Sequence, residues 1–324
     1  MKNDHRSTHI VISDRDHGLP YSKGLMASRV MVAGLGPYRA YQVAERIEEV
    51  LLEREVPSVT SQELNQVTIS VLEEVAGERY AKNYLRWQEV ERLDTPLVLL
   101  IGGATGVGKS TIATQLAARL GIVRVMATDA IREVMRSMFS QELMPTLHTS
   151  SFDADTALRE PPTRNSDKVI VGFREQTAAV SVGLNALMER AVVERTSLIL
   201  EGAHVVPGFV DIDAYEGQCL AVQCVVTVDD EATHRLHFAA RSAELPSRPV
   251  ERYERGFDNI RKLQKYIKSQ ALSHGVPIIP NHYLDQAIAA VIDLVVQRAA
   301  ERAPKVASAG DGAGRVVGLE GRTR

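Results

Sequence analysis

Leu97-Val-Leu-Leu-Ile-Gly-Gly-Ala-Thr-Gly-Val-Gly-Lys-Ser-Thr111 reads as a strand, a glycine-rich turn and the opening of a helix. The apolar run 97–101 suits a strand buried on both faces of a parallel sheet. Gly103, four intervening residues and then Gly108-Lys109-Ser110 have the spacing of a phosphate-binding loop. A backbone that wraps an anion must turn successive N–H groups inward, and Gly103, Gly106 and Gly108 permit that path because they carry no Cβ. Lys109 is then placed to reach the β- and γ-phosphates of a nucleotide, Ser110 to offer its hydroxyl to Mg²⁺, and Thr111 to close the first helical turn. Ile112, Leu116 and Leu120 recur at helical spacing up to Gly121, so the positive end of a helix dipole is expected under the phosphates.

The chain has 324 residues, 44% of them hydrophobic, enough for one large core or two smaller ones, and two are expected. A formal net charge of −3 shows no basic excess of the kind that neutralises phosphate backbones, so no nucleic-acid partner is expected. The cysteines, Cys219 and Cys224, have a spacing that suits neither zinc nor a redox pair and read as core thiols of a reducing compartment. No apolar run reaches the ~18 residues that span a bilayer. No membrane association is therefore expected, and the expected location is the cytoplasm.

Residues 9–94 read as a module of their own, mainly helical. Val11 and Ile12 suggest a short strand, Asp14-Arg-Asp-His-Gly-Leu-Pro20 a turn, and Tyr21-Ser-Lys-Gly24 opens a helical run to Val32. Apolar residues at three- and four-residue steps predict further helices over 37–54, 61–75 and 78–90, the second capped by Thr60 or Ser61 with Glu63 in its first turn. The order Arg15-Asp16, Gly18, Tyr21-Ser-Lys-Gly24 and finally Tyr84-Leu-Arg-Trp87 resembles the ATP-cone, a regulatory nucleotide-binding domain. That resemblance implies nucleotide sensing, with oligomerisation through the cone. The residues themselves leave a helical docking domain without a ligand open as well.

Beyond the phosphate-loop helix, 123–127 reads as a second strand followed at once by Thr128-Asp-Ala-Ile-Arg132. Residues at the carboxyl ends of parallel strands face the ligand crevice, which places Asp129 and Arg132 beside the phosphates. Asp129 also suits the N-cap of the helix through Met138. Residues 141–167 are irregular and carry His148-Thr-Ser-Ser151, whose hydroxyls, with Arg159, Arg164 and Lys168, suit either an anion pocket or a solvated loop. A helix over 173–194 leads into a third strand, 197–200, which ends in Glu201-Gly-Ala-His204. A carboxylate at that point suits a metal shell or the orientation of a hydroxyl nucleophile, and His204 suits a pocket wall. After a fourth strand over 220–228, His234-Arg235, Arg241, Arg248 and Arg252 surround Leu245-Pro-Ser-Arg-Pro249. That layout fits a mobile lid whose guanidinium groups close on transferring phosphates. A helix over 255–274, a fifth strand over 276–279 and a helix over 285–302 complete an α/β fold with a parallel five-stranded sheet flanked by helices. The tail 303–324, rich in Gly, Ala and Arg, is expected to be disordered.

Taken in this order, the chain is similar to the 2-phosphoglycerate kinases that carry an ATP-cone in front of a P-loop kinase domain. The resemblance runs over residues 9–297. Its specific parts are the stretch from Gly102 to Thr111, Thr128-Asp-Ala-Ile-Arg132, Leu147-His-Thr-Ser-Ser151, Leu200-Glu-Gly-Ala-His204 and Ser247-Arg-Pro-Val-Glu-Arg-Tyr253. It implies an ATP-cone over 9–94, a kinase domain over 95–302, and transfer of the γ-phosphoryl of ATP, with Mg²⁺, to 2-phosphoglycerate to give 2,3-bisphosphoglycerate. In that reading Gly103, Gly106, Gly108, Lys109, Ser110 and Thr111 bind ATP, and Ser110 holds the metal. Lys109, Arg241 and Arg248 neutralise the transferring group, Asp129 or Glu201 orients the acceptor hydroxyl, and Arg132, His148, Ser150 and Ser151 grip the acceptor's anions. Two other functions fit the residues: a kinase for another small anionic acceptor, and a nucleotide-responsive regulator. Because every group needed for transfer follows Pro96, a chain beginning near Arg92 is expected to fold and to retain activity.

Overall fold

A computed structural model describes residues 10–14, 17–54, 58–92, 95–160, 163–244 and 250–302. The first part of the chain builds a small sheet and four helices: β1 (Val11–Asp14), β2 (His17–Pro20), α1 (Lys23–Val30), α2 (Pro37–Glu53), β3 (Ser58–Val59), α3 (Ser61–Val71) and α4 (Glu78–Glu91). β1 pairs antiparallel with β2 and parallel with β3. Of the stretch expected as a turn after Asp14, His17–Pro20 is a second strand, because the register from Ile12 with Leu19 to Asp14 with His17 pairs it to β1; Arg15 and Asp16 lie outside the described residues. The helices begin where the sequence predicts them. Thr60 and Glu63 form a reciprocal cap on α3, with Glu63 N donating to Thr60 Oγ1 at 3.2 Å and Thr60 N to Glu63 Oε2 at 2.8 Å. The helical stretch expected to run to Val75 changes at Leu72–Ala76 into a wider π-type turn that ends at Gly77.

The second part alternates strand and helix: β4 (Leu97–Gly102), α5 (Lys109–Leu120), β5 (Val125–Ala127), α6 (Thr128–Met138), α7 (Lys168–Val193), β6 (Leu198–Gly202), β7 (Leu220–Thr227), α8 (Glu231–Glu244), α9 (Val250–Arg255), α10 (Phe257–Ser273), β8 (Ile278–Pro280) and α11 (Leu284–Arg302). The five strands pair in parallel in the order β5-β6-β4-β7-β8. β4 is first in sequence yet central in space, with connections leaving it to both sides, so a crevice opens at its carboxyl end where the strand order reverses. The loop after β4 lies at that point. Residues 139–167 cross from α6 to α7 and contain short 3₁₀ turns at Pro145–His148 and Ala154–Ala157.

Alternate residues of β4 face opposite layers. Val98 and Leu100 pack with Val180, Leu184 and Met188 of α7 and with Leu198 and Leu200 of β6. Leu99 and Ile101 belong to a larger cluster with Ile112 and Leu116 of α5 and Val291 and Val295 of α11. That cluster continues without a break into Val30, Leu35, Ile47, Leu72 and Tyr84 of the first part. Polar ties cross the same seam: Asn83 Nδ2 donates to Asp293 Oδ1 at 3.0 Å, and Arg79 pairs with Asp293 Oδ2 at 2.9 Å.

The shared core alters the outcome expected for a chain beginning near Arg92. Removing the first part uncovers apolar faces of α5 and α11, and each large aliphatic side chain returned to water costs about 1.5–3 kcal/mol, against the roughly 5–15 kcal/mol that keeps a domain folded. The shortened chain should therefore melt well below the full-length protein and bind a hydrophobic dye. An unchanged melting temperature would show that the two parts are energetically independent.

Candidate active site

The loop between β4 and α5 is shaped by close approach. Gly103 has φ +138°, and a Cβ there would lie 2.3 Å from the carbonyl oxygen of Val226 on the neighbouring strand. Gly106 has φ +86°, and a Cβ there would lie 2.4 Å from the ring of Phe238, so α8 packs directly on the loop. Four successive carbonyl groups of the loop accept side-chain hydrogen bonds. Lys109 Nζ donates to Ala104 O at 2.8 Å, His234 Nε2 to Thr105 O at 2.8 Å, His237 Nδ1 to Gly106 O at 2.9 Å, and Asn281 Nδ2 to Val107 O at 2.9 Å. Helix α5 begins after Gly108 without a side-chain cap, and a helix N-terminus of that kind suits an anion. A loop whose carbonyls are engaged by side chains, leading into such a terminus, has the form of an anion cradle.

Glu201 lies within β6, where it pairs in register with Ile101 of β4 and with Ala127 of β5. Its buried carboxylate accepts a hydrogen bond from Ser110 Oγ at 2.8 Å. Among the described residues no group of three or more His, Cys, Asp or Glu could hold a metal by itself. Ser110 and Glu201 nevertheless supply two hard oxygens, the share Mg²⁺ takes from protein when phosphates and water fill the rest of its shell. Thr111 follows in the first turn of α5. Asp129 lies in the first turn of α6, directly after β5, with its side chain 63% exposed and Oδ1 3.8 Å from Arg132 Nε. The N-cap role expected of Asp129 falls instead to Ala127, because the helix already begins at Thr128.

The stretch carrying His148, Ser150 and Ser151 is fastened from several elements. Arg132 Nη1 donates to Leu147 O at 2.8 Å and to Thr149 O at 2.9 Å, so its guanidinium shapes this loop. His148 Nε2 donates to Phe139 O at 3.0 Å, Ser150 Oγ donates to Asp153 Oδ2 at 2.6 Å, and Ser151 is buried. Arg252 lies 3.7 Å from the same Asp153 carboxylate. Arg159 donates to the carbonyls of Glu142 and Leu143, and Lys168 pairs with Asp155 at 3.0 Å. Arg248, assigned to the lid, lies outside the described residues, and the side chain of Arg241 on α8 does as well.

Two buried histidines frame the site as neutral rings. His204 is pushed down to about 4, chiefly by burial, with Arg132 and Lys109 adding to the effect and Asp129 opposing it. Burial also brings His234 down to about 4, reinforced by Arg261, His237 and Lys109 and opposed by the Thr105 carbonyl. His234, His237 and Asn281 were not singled out by sequence as partners of the phosphate loop. The available signal was two histidines three residues apart, on one helical face, directly after the fourth strand.

A central strand ending in this loop, at the reversal point of a parallel sheet, defines a P-loop nucleotide-binding α/β protein. No family model matches the chain. It is 41% identical over 271 residues to a 2-phosphoglycerate kinase of Methanothermobacter thermautotrophicus, covering 83% of this chain and 88% of that protein. With a 2-phosphoglycerate kinase of Thermococcus kodakarensis it shares 39% identity, covering 86% and 94% of the two chains. The chain belongs to the 2-phosphoglycerate kinase family. Solved structures similar to it include a shikimate kinase from Acinetobacter baumannii, at 15% identity, TM-score 0.37 and coverage of 67% of this chain and 99% of that one. A gluconokinase from Sinorhizobium meliloti matches at 13% identity, TM-score 0.34 and coverage of 65% and 94%. Among the described residues no helix is long and apolar enough to cross a membrane.

Because both histidines titrate below their ordinary value of 6.5 when folded, the unfolded chain takes up protons first as pH falls. Their contribution to stability is complete above about 6.5 and is lost towards 4. Between pH 7 and 5 this amounts to roughly 2 kcal/mol per histidine. Denaturant midpoints at the two pH values should separate accordingly, and His204→Gln should reduce the separation. An unchanged pH dependence in that variant would contradict the neutral buried ring.

Proposed function

We infer that the chain transfers the γ-phosphoryl group of ATP to the hydroxyl of 2-phosphoglycerate, giving 2,3-bisphosphoglycerate and ADP. The observation that carries this reading is the 2.8 Å contact between Ser110 Oγ and Glu201 Oε1 at the head of the phosphate loop. The acceptor is the one named for the relatives that share 41% and 39% of the sequence. Donor and acceptor are both polyanions, so the reaction needs positive groups between them and exclusion of competing acceptors.

In this reading the amides of the loop and the Lys109 ammonium bind the β- and γ-phosphates. An ammonium has three donors, so Lys109 can keep its bond to Ala104 O and still reach a phosphate. Ser110 and Glu201 would hold Mg²⁺, which neutralises charge on the phosphates when bound. With Glu201 placed beside Ser110, Asp129 is the carboxylate left to orient the acceptor hydroxyl and take its proton. The acceptor oxygen then bonds to the γ-phosphorus as the bond to the β-phosphate oxygen breaks. Residues 148–151 are assigned to the acceptor's carboxylate and phosphate, with the charge of Arg132 behind them. Arg241 and Arg248 are assigned to closure over the transferring group. The first part of the chain is assigned a regulatory role, with nucleotide binding as in an ATP-cone, since the groups of the transfer site all follow Pro96.

Lys109→Ala should fold normally and lose roughly a hundredfold or more in kcat, as expected when a preorganised charge is removed. Near wild-type turnover in the folded variant would remove the phosphate-loop assignment. The two carboxylates separate by their dependence on metal. Glu201→Gln should raise the Mg²⁺ concentration needed for half-maximal rate. Asp129→Asn should lower kcat about a hundredfold or more at an unchanged Mg²⁺ midpoint, and the reverse pattern would exchange their roles. An acceptor panel assayed with ATP tests the substrate, and faster turnover of another small acid would replace it.

A further inference from the structure

The stretch 146–149 repeats, with different side chains, the device seen in the phosphate loop. Gln176 Nε2 donates to Thr146 O at 2.5 Å and to Thr149 O at 3.1 Å, while Arg132 Nη1 takes Leu147 O and shares Thr149 O. Three carbonyls that would repel an anion are thereby engaged by donors on α6 and α7. Gln176 is fully buried on α7, on a face that also carries Phe173, Thr177, Val180 and Leu184. A primary amide is an expensive occupant of such a face unless all its polar atoms are satisfied.

They are satisfied in a single direction. His204 Nε2 donates to Gln176 Oε1 at 2.8 Å, and His204 Nδ1 accepts from the Thr128 hydroxyl at 3.0 Å. Reversing the amide would set its oxygen against two carbonyls, so the order Thr128 to His204 to Gln176 to the loop is fixed by donor and acceptor chemistry. Its first two members lie next in sequence to the proposed reaction centre. Thr128 immediately precedes Asp129, and His204 follows Glu201 by three residues on the exit from β6. Gly202, with φ +153°, permits the approach, since a Cβ there would lie 1.8 Å from Thr128 Oγ1.

We propose that Gln176 is a positioning residue for the acceptor, which it serves by setting the path of residues 146–151 relative to Asp129 and Glu201. The proposal rests on the assignment of Ser150 and Ser151 to the acceptor's anions. Gln176 touches no reacting atom in this account. Its loss moves the cradle, and a misplacement of that kind weakens acceptor binding while leaving the ATP loop, which is held by His234, His237 and Asn281, as it was.

Gln176→Met keeps the length and bulk of the side chain and removes every hydrogen bond. In the full-length protein it should raise KM for 2-phosphoglycerate roughly tenfold or more, with KM for ATP within about twofold of wild type. A lowered melting temperature with both KM values unchanged would make Gln176 a core residue only and overturn the proposal. Should Gln176→Met fail to fold, Thr128→Val removes the hydroxyl at the far end of the relay. It should raise the acceptor KM about threefold or more, again without a change for ATP, and no change would overturn the proposal equally. Ser150→Ala and Ser151→Ala separate the two levels. If they raise the acceptor KM while Gln176→Met does not, positioning by Gln176 fails alone. If none of the variants moves it, the acceptor assignment of the loop fails and the proposal falls with it.

Discussion

A peptide loop can bind a polyphosphate only if its carbonyl oxygens are kept from the ligand, because each is a partial negative charge as close to the chain axis as the N–H groups that do the binding. In this protein that constraint is met by donors from the helix that follows the loop and from distant elements: Lys109 from α5, His234 and His237 from α8, and Asn281 from the end of β8. Much of the arrangement of the second part follows from it. α8 must lie on the loop, so Gly106 has no side chain and the ring of Phe238 fills the space. Phe238 in turn stacks on Tyr253 of α9 with ring centroids 4.8 Å apart, and Tyr253 meets Phe152 at 6.0 Å, which joins the phosphate loop to the stretch that carries Ser150 and Ser151.

Helix α5 carries the same constraint away from the ligand. Its first turn holds Lys109 and Ser110, and its last turn holds Arg119, whose buried guanidinium pairs with Asp285 of α11 at 3.2 Å. Ile112 and Leu116 between them belong to the core shared with the first part of the chain. Helix α5 thus runs from that shared core to the phosphate loop. Under the regulatory role proposed for the first part, this is the physical route open to it, and it requires two packings of the seam rather than deformation of the loop itself.

How much of this was legible in the sequence follows the range of each interaction. The phosphate loop, the parallel strands, the Thr60–Glu63 cap and the helix at Glu78–Glu91 are local patterns, set by residues within one or two turns of each other, and all could be read directly. Ser110 and Glu201 were legible as separate candidates because each sits at a fixed place relative to a strand. The partners of the loop carbonyls were not, since His234 is 129 residues from Thr105 and Asn281 is 174 residues from Val107, and no periodicity reports such a pairing. Arg132 shows the opposite difficulty. A charged residue beside a crevice reads as a ligand contact, yet two backbone carbonyls compete for the same guanidinium and hold it.

The choice of donors at the two loops has an electrostatic consequence. The His234 ring, which burial keeps neutral down to about 4, together with Asn281 and Gln176, engages carbonyls without adding net charge. In the proposed reading the formal positive charge at the phosphate loop comes from Lys109, and that behind residues 148–151 from Arg132. Uniform positive charge would bind ATP more tightly in the ground state and gain nothing in the transfer step. Neutral donors that fix the geometry, with a few charges placed where charge shifts during transfer, favour the transition state over the bound substrates. Burial of His204 and His234 is what keeps them neutral, and that burial is supplied by Phe173 beside the first ring and by Phe238 and Phe257 around the second. The aromatic packing contributed by α7, α8 and α10 is in this sense part of the site's electrostatics, since loosening it would let the rings charge.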